Sequence, residues 1–293
     1  MKKSALLVRI LAVLSITALT MAVYLLWARP YQLRWGATDE EVQRAMPGDE
    51  LHHAPTFLAT RAITIEGTPE TIWPWLLQMG YNRAGFYGYD ILENVGSPEG
   101  IRSADHKMPE FQHFIVGDEV PISSVARMKF YAIEPDQYLI WTGETEEGGF
   151  TWALYPIDAQ HTRLVSRIAW SHHWSQPGVL AFDLFTEFTD HLAVRKILQG
   201  VKDRVEGRNE PLAQSTTEFA IYVAAVVIGF VAVVLLLLRP LTRQRWLVGL
   251  ASGAIWLITW YAPVPIWVGA LLELMTVLAL IQVYRQPSSR NPA

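Results

Sequence analysis

The 293-residue chain contains no cysteine. A disulfide framework, a thiolate nucleophile, Cys-ligated zinc and an iron–sulfur cluster are therefore excluded. The compartment stays open, because a chain without thiols suits reducing and oxidising surroundings alike. Charge is the second scarcity. Asp, Glu, Lys and Arg make up 18% of residues, against roughly 25% in an ordinary soluble domain. Hydrophobic residues reach 51%, which excludes disorder as a description of the whole chain and points to membrane segments. The footprint of a nucleic-acid binder is also missing. Residues 28–218 hold 16 Lys and Arg against 27 Asp and Glu, a net of −11, a poor match for a phosphate backbone. The flanks hold 8 basic residues and one acid, Glu273. No triad spacing, P-loop, Gly-x-Gly-x-x-Gly or His-Glu-x-x-His motif is present, and no cofactor or metal is expected.

What the chain does have is four apolar runs. Ala5 to Trp27 is broken only by Arg9, and Phe219 to Leu238 is 20 residues without a charge. Trp246 to Tyr261 is shorter and precedes Pro263 and Pro265, and Ile266 to Tyr284 carries Glu273. A helix crossing the bilayer needs about 20 apolar residues, so the runs predict about four transmembrane helices (1–27 as an N-terminal anchor, then 219–238, 246–261 and 266–284) and a polar tail, 285–293. Trp27, Trp246, Trp260, Tyr261, Trp267 and Tyr284 lie at run ends, as an interfacial aromatic belt does. Lys2 and Lys3 also suit a cleaved signal peptide, but the first run is longer than a usual signal core and no clear cleavage site follows, which favours a retained anchor. Arg239, Arg243, Arg245, Arg285 and Arg290, with Lys2 and Lys3, place both termini on the cytoplasmic side by the positive-inside rule. Residues 28–218 then face outward. Gly249 and Gly253 form a Gly-x-x-x-Gly pair that allows close helix approach. Glu273 sits mid-run, where a carboxylate faces protein or water, with Ser252 or Thr259 as candidate hydrogen-bond partners.

Between the first two runs lies a lead-in, 28–58, and a domain, 59–210. Thr38 and Glu41 form a capping box for a short helix that Pro47-Gly48-Asp49 ends. Thr60 to Glu66 alternates as a strand. Thr68 at the N-cap and Pro69 at the first helical position predict a helix over Pro69 to Met79, followed by a second helical stretch near Gly85 to Asn94. Phe114–Ile122, Ala126–Ile133, Tyr138–Thr142, Phe150–Ile157 and Arg163–Trp170 then read as strands between turn residues. Phe150, Trp152 and Leu154 oppose Thr151, Ala153 and Tyr155; Leu164, Ser166, Ile168 and Trp170 oppose Arg163, Val165, Arg167 and Ala169. A long helix from Gly178 to about Arg204 closes the domain, and it alone is long enough to cover a sheet. The expected class is α+β, a curved antiparallel sheet gripping a C-terminal helix with a cavity between them.

Several segments carry a family resemblance over residues 35–205: Trp35-Gly36-Ala37-Thr38-Asp39-Glu40-Glu41-Val42, Pro47-Gly48-Asp49-Glu50-Leu51, Ile72-Trp73-Pro74-Trp75-Leu76, and above all Gly85-Phe86-Tyr87-Gly88-Tyr89-Asp90-Ile91-Leu92-Glu93-Asn94, with Ser103-Ala104-Asp105 and Val116-Gly117-Asp118. With the order of elements, they resemble the helix-grip fold of the START-like, or SRPBCC, superfamily, which includes Bet v 1-like proteins and polyketide cyclases, and specifically a bacterial group within it. The resemblance implies a hydrophobic ligand cavity. Some members are enzymes and many bind or carry lipids or other apolar molecules. The membrane runs depart from the shared domain.

Candidate ligand-binding residues follow from pockets being aromatic with a few polar handles. Phe86, Tyr87 and Tyr89 with Asp90 and Glu93 form a cavity wall, or else Phe86 and Tyr89 pack in the core while the acids cap the helix. Trp141, Trp152 and Trp170, with Phe182, Phe185 and Phe188, line an apolar cavity, or are plain core. Asp183, Glu187 and His191 fall on one helical face beside Asp190, either as metal ligands or, more simply, as a solvated face. His172-His173 and His52-His53 diverge too much for a metal pair. Three functions remain: binding of a hydrophobic small molecule or lipid near a membrane; a cyclase-, dehydratase- or hydrolase-like enzyme using Asp90 or His106; and a sensory or assembly module coupled to transmembrane helices.

Overall fold

The computed structural model describes residues 11, 14–15, 18–19, 21–93, 102–145, 147–171, 176–208, 212–238 and 266–285. The chain divides into two compact units, residues 30–216 and residues 1–29 with 217–293. Unit 30–216 begins within a short helix, α1 (Arg29–Leu33), followed by α2 (Asp39–Gln43). The capping box forms as expected: Glu41 N donates to Thr38 Oγ1 at 3.1 Å and Thr38 N donates to the Glu41 carboxylate at 2.8 Å.

Next come β1 (Phe57–Glu66), α3 (Pro69–Leu77), α4 (Asp90–Glu93), β2 (Glu119–Pro121), β3 (Arg127–Glu134), β4 (Tyr138–Thr142), β5 (Gly149–Pro156), β6 (His161–Trp170) and α5 (Pro177–Val205). The strands make one antiparallel sheet in the order β1-β6-β5-β4-β3-β2. This α+β order, with a long C-terminal helix after a six-stranded antiparallel sheet, is consistent with a helix grip.

Pairing of Leu154 with Leu164 and Trp152 with Ser166 confirms the predicted inner row. Phe57, Ala59 and Ile65 of β1, Ile72 and Leu76 of α3, Phe130, Leu139, Trp141, Trp152 and Leu164 of the sheet, and Val194, Leu198 and Val201 of α5 form one core.

Four sequence expectations change. The second helical stretch shrinks to α4, because Gly85 and Tyr87 adopt left-handed backbone (φ 73° and 64°) that no helix accommodates. The strand expected over Phe114–Ile122 shrinks to β2. Asp118 accepts from Ile115 N at 2.9 Å, and Gly117 takes φ 96°, so a turn replaces its first half. Thr68 occupies the N-cap position of α3, but its side chain makes no cap bond. The sheet is also covered on both faces rather than by the long helix alone. Arg163 forks onto both oxygens of Glu41 at 2.8 Å, and Arg167 binds Asp49 at 2.8 Å and the carbonyl oxygens of Glu41, Val42 and Arg44. Two guanidiniums thereby clamp the lead-in to the outer face, where Met46 packs with Ala62, Ala153 and Val165.

The other unit contains most of α6 (Leu212–Leu238) and α7 (Ile266–Arg285). Counting only the described residues, no helix is long and apolar enough to cross a membrane, so the four predicted crossings find no support there. The first run is described only in part. Residues 246–261, Ser252 and Thr259, the Gly249/Gly253 pair, and the tail 286–293 lie outside the described residues, as do His172 and His173. Glu273 is buried.

Candidate functional site

The segment with the strongest family resemblance folds onto the C-terminal half of α5, and two glycines make the approach possible. A Cβ on Gly200 would lie 2.0 Å from the Tyr87 carbonyl oxygen, and one on Gly88 would lie 2.2 Å from Glu93 Oε1. At Gly200 the clash is with backbone, so only glycine fits; at Gly88 a side chain would displace the Glu93 carboxyl. Ser103 ties the loop together: it accepts from Tyr87 N at 3.0 Å and donates to Asp90 Oδ1 at 2.6 Å. Arg204 of α5 lies over the Tyr87 ring at 4.3 Å and donates to the Ala104 carbonyl at 2.7 Å. Tyr87 donates its hydroxyl to the Trp75 carbonyl at 3.0 Å and accepts from Gln78 at 2.9 Å. Tyr87 is thus a structural post, its phenol held protonated by burial.

Glu93 is the chemically distinctive group. Its carboxyl points back under Gly88, accepting from Phe86 N at 3.3 Å, while Oε1 has no hydrogen-bond partner among the described residues. Burial first, and the neighbouring Asp90 carboxylate second, push its pKa up to about 8; the Phe86 and Gly88 amides and Arg204 pull the other way. At neutral pH it is therefore mostly a neutral acid with a proton to donate.

From Glu93 the site continues into the sheet through aromatic contacts. The Phe86 ring meets Trp141 at 6.4 Å, and Trp141 meets Trp152 at 5.8 Å. Trp152 lies across from Ser166. Trp141 and Trp152 are each 1% exposed, yet their indole N–H groups, like the Ser166 hydroxyl, have no partner among the described residues. Buried polar atoms left unpaired are rare in native proteins and ask for an explanation.

The structure therefore brings together Phe86, Asp90, Glu93, Trp141 and Trp152 of the predicted set, with Tyr87 beside them. Tyr89 is buried, with Lys196 Nζ 5.4 Å from its ring centroid. Trp170 stacks on Phe57 at 4.5 Å and joins Trp141 through the Phe150 ring. Phe182 and Phe185 are not brought in: they are 66% and 59% exposed, because their side of α5 turns away from the sheet.

The solvated face expected of Asp183, Glu187 and His191 is also corrected. All three are buried, and Asp190 beside them pairs with the fully buried Arg61 at 2.7 Å. No metal-binding group is formed among the described residues. The His106 ring is exposed and paired with Asp105, while its carbonyl accepts from Gln78. Arg204, Ser103, Gly200 and Arg61 carry parts that sequence reasoning did not assign. Ser103 alone had a signal, within its resembling segment. A separate open hollow of about 440 Å³, lined by Tyr81, Arg83, Glu119 and Arg127 among others, includes none of the predicted residues.

No family model and no curated protein matches this chain. Solved structures similar to it include a Polyketide_cyc-like protein from Corynebacterium glutamicum (10% identity, 51% of this chain and 91% of that one, TM-score 0.33). Two others are a START superfamily protein from Mycobacterium smegmatis (15%, 51% and 97%, 0.29) and a conserved protein of unknown function from Enterococcus faecalis (18%, 56% and 82%, 0.26).

Proposed function

We propose that residues 59–210 bind a hydrophobic small molecule or lipid between the inner sheet face and α5, and that the flanking apolar runs hold the domain at a membrane with the domain outward. One observation carries the binding reading: an apolar aromatic interior in which two indole N–H donors, a serine hydroxyl and one oxygen of a buried carboxyl are left unpaired among the described residues. A ligand with an apolar body and one oxygen-bearing end pairs with such donors while its body stays dry. The Trp side chains are nearly fully enclosed, so entry requires the 86–93 segment to part from α5. Membrane tethering raises the local concentration of bilayer-derived ligand without new contacts.

The test is organic extraction and mass spectrometry of the purified full chain. A stoichiometric apolar compound, lost on Trp152→Phe with Glu93→Gln, is the expected result. A folded chain that yields no compound and binds no apolar probe overturns the reading.

A second reading is favoured by Glu93 itself. A buried acid with a pKa of about 8 is poised as a general acid at neutral pH, as a cyclase- or dehydratase-like reaction on an apolar substrate would use. Under that reading Glu93→Gln binds the extracted compound but leaves it unchanged, and the wild-type chain converts it.

A further inference from the structure

Helix α5 is built inside out over its N-terminal half. Of its described residues, only Gly178, Val179, Phe182 and Phe185 are exposed, and none is polar. The acids of the same stretch point inward: Asp183 and Glu187 are buried, and Asp190 is held by Arg61. A helix edge facing water shows the opposite pattern, polar outside and apolar inside. Val179, Phe182 and Phe185 recur at steps of three, so they share one stripe, and no described exposed carboxylate of α5 interrupts it.

A residue just after the first apolar run packs on the same helix. That run ends at Trp27, and Tyr31 packs its ring against His191 at 6.2 Å while the Gln32 carbonyl accepts from Arg61 Nε at 2.8 Å. At 1.5 Å per residue, His191 is only about 9 Å along the helix axis from Phe185 and about 14 Å from Phe182. Tyr31, four residues after the run's last residue in sequence, is therefore held about two to three helical turns from the exposed phenylalanines.

We propose that Val179, Phe182 and Phe185 dock into a lipid bilayer surface, seating the N-terminal tip of α5 in the headgroup region. This rests on the reading of residues 5–27 as a membrane segment. Phenylalanines on a face without exposed acids suit that depth, and an uncharged stripe presents nothing that an anionic surface repels.

Because the chain has no cysteine, Phe182→Cys or Phe185→Cys carries a single nitrobenzoxadiazole label. Val125→Cys, 90% exposed at a hairpin tip, serves as the water-facing control. Each labelled full chain is reconstituted in vesicles of phosphatidylcholine and phosphatidylglycerol, with and without doxyl-labelled phosphatidylcholine, and washed with alkaline carbonate. Docking predicts blue-shifted emission at 182 and 185 and quenching by the doxyl lipid several-fold greater than at 125. Water-like, unquenched emission from a chain that resists the wash overturns the docking while sparing the anchor. Blue-shifted but unquenched emission shows a second copy or another part of the chain on the stripe and also overturns it. A chain released by the wash overturns the anchor, and the docking with it.

Discussion

Between Val194 and Val201, α5 turns Val194, Leu198 and Val201 into the core and leans on Tyr87 through Gly200. Between Asp183 and His191 the same helix buries Asp183, Glu187 and His191 and holds Phe182 and Phe185 outside. One half is held by apolar packing, the other by polar pairing around Arg61. The difference teaches that a single helix can be stabilised by two unlike mechanisms, and that its polar side need not be its wet side. A buried guanidinium bonded to Asp190 and to the Gln32 carbonyl compensates one of these acids.

The largest way to break the comparison is at Arg61. Arg61→Ala leaves Asp190 buried without its cation, and unfolding in denaturant should show a loss of about 3–5 kcal/mol. A double Arg61→Met, Asp190→Leu variant should recover most of that loss, because no uncompensated charge remains. If the single variant is as stable as the parent, the N-terminal half is not held by polar pairing.

In the other half, Gly200→Ala drives a methyl into the Tyr87 carbonyl. The expected loss is about 1–3 kcal/mol, as overpacking gives, measured in the same denaturation series.

Titration should then separate the halves by pH. Folded Glu93 keeps its proton up to about pH 8, while its ordinary value is 4.5. Between those values the folded state binds more protons than the unfolded one, so stability falls as pH rises through the window. Glu93→Gln should remove that downward slope. His191 behaves oppositely. Burial, with Arg61 and Arg195 nearby, holds it well below 6.5, so the unfolded chain takes up the proton and stability falls as pH drops below that value. His191→Gln should leave the Glu93 slope unopposed below pH 6.5, so that stability there rises as pH falls, and should change nothing above that value. Melting curves from pH 5 to 9 check both signs.

The smallest effect sharpens the contrast. Phe182→Ser with Phe185→Ser removes two aromatic rings that pack little against the sheet. Stability in detergent should move by no more than about 0.5 kcal/mol per site, whereas Leu198→Ala, fully buried in the core, should lose about 2–5 kcal/mol. Comparable losses at both places would mean the exposed stripe is packed after all.

Much of the domain was legible in the chain. Strand alternation assigned Trp152 and Leu154 to one face and Ala153 and Tyr155 to the other, and the register bears this out. The capping box at Thr38 formed because its chemistry is local. Legibility ended where partners are distant in sequence. Arg163 and Glu41 are 122 residues apart, and Arg61 and Asp190 are 129 apart; no periodicity announces either pair. The left-handed turn at Tyr87 was equally hidden, since a non-glycine residue adopts it only when its surroundings hold it there. For the candidate site, the sequence pointed to the right segment, Phe86 to Glu93, and not to what each member does there.

Composition and local pattern determined the absence of thiol chemistry, the apolar runs, the acidic central domain, the order of its strands and which side of each strand is apolar. These depend on near neighbours and on a period of two or of three to four residues. Closure of the sheet against α5 decided the rest: the proton on Glu93, the neutrality of His191, the inward turn of Asp183 and Glu187, and the exposure of Phe182 and Phe185. Each of these is a matter of how far a group lies from water and from charges elsewhere in the chain, a distance set only when the tertiary structure forms.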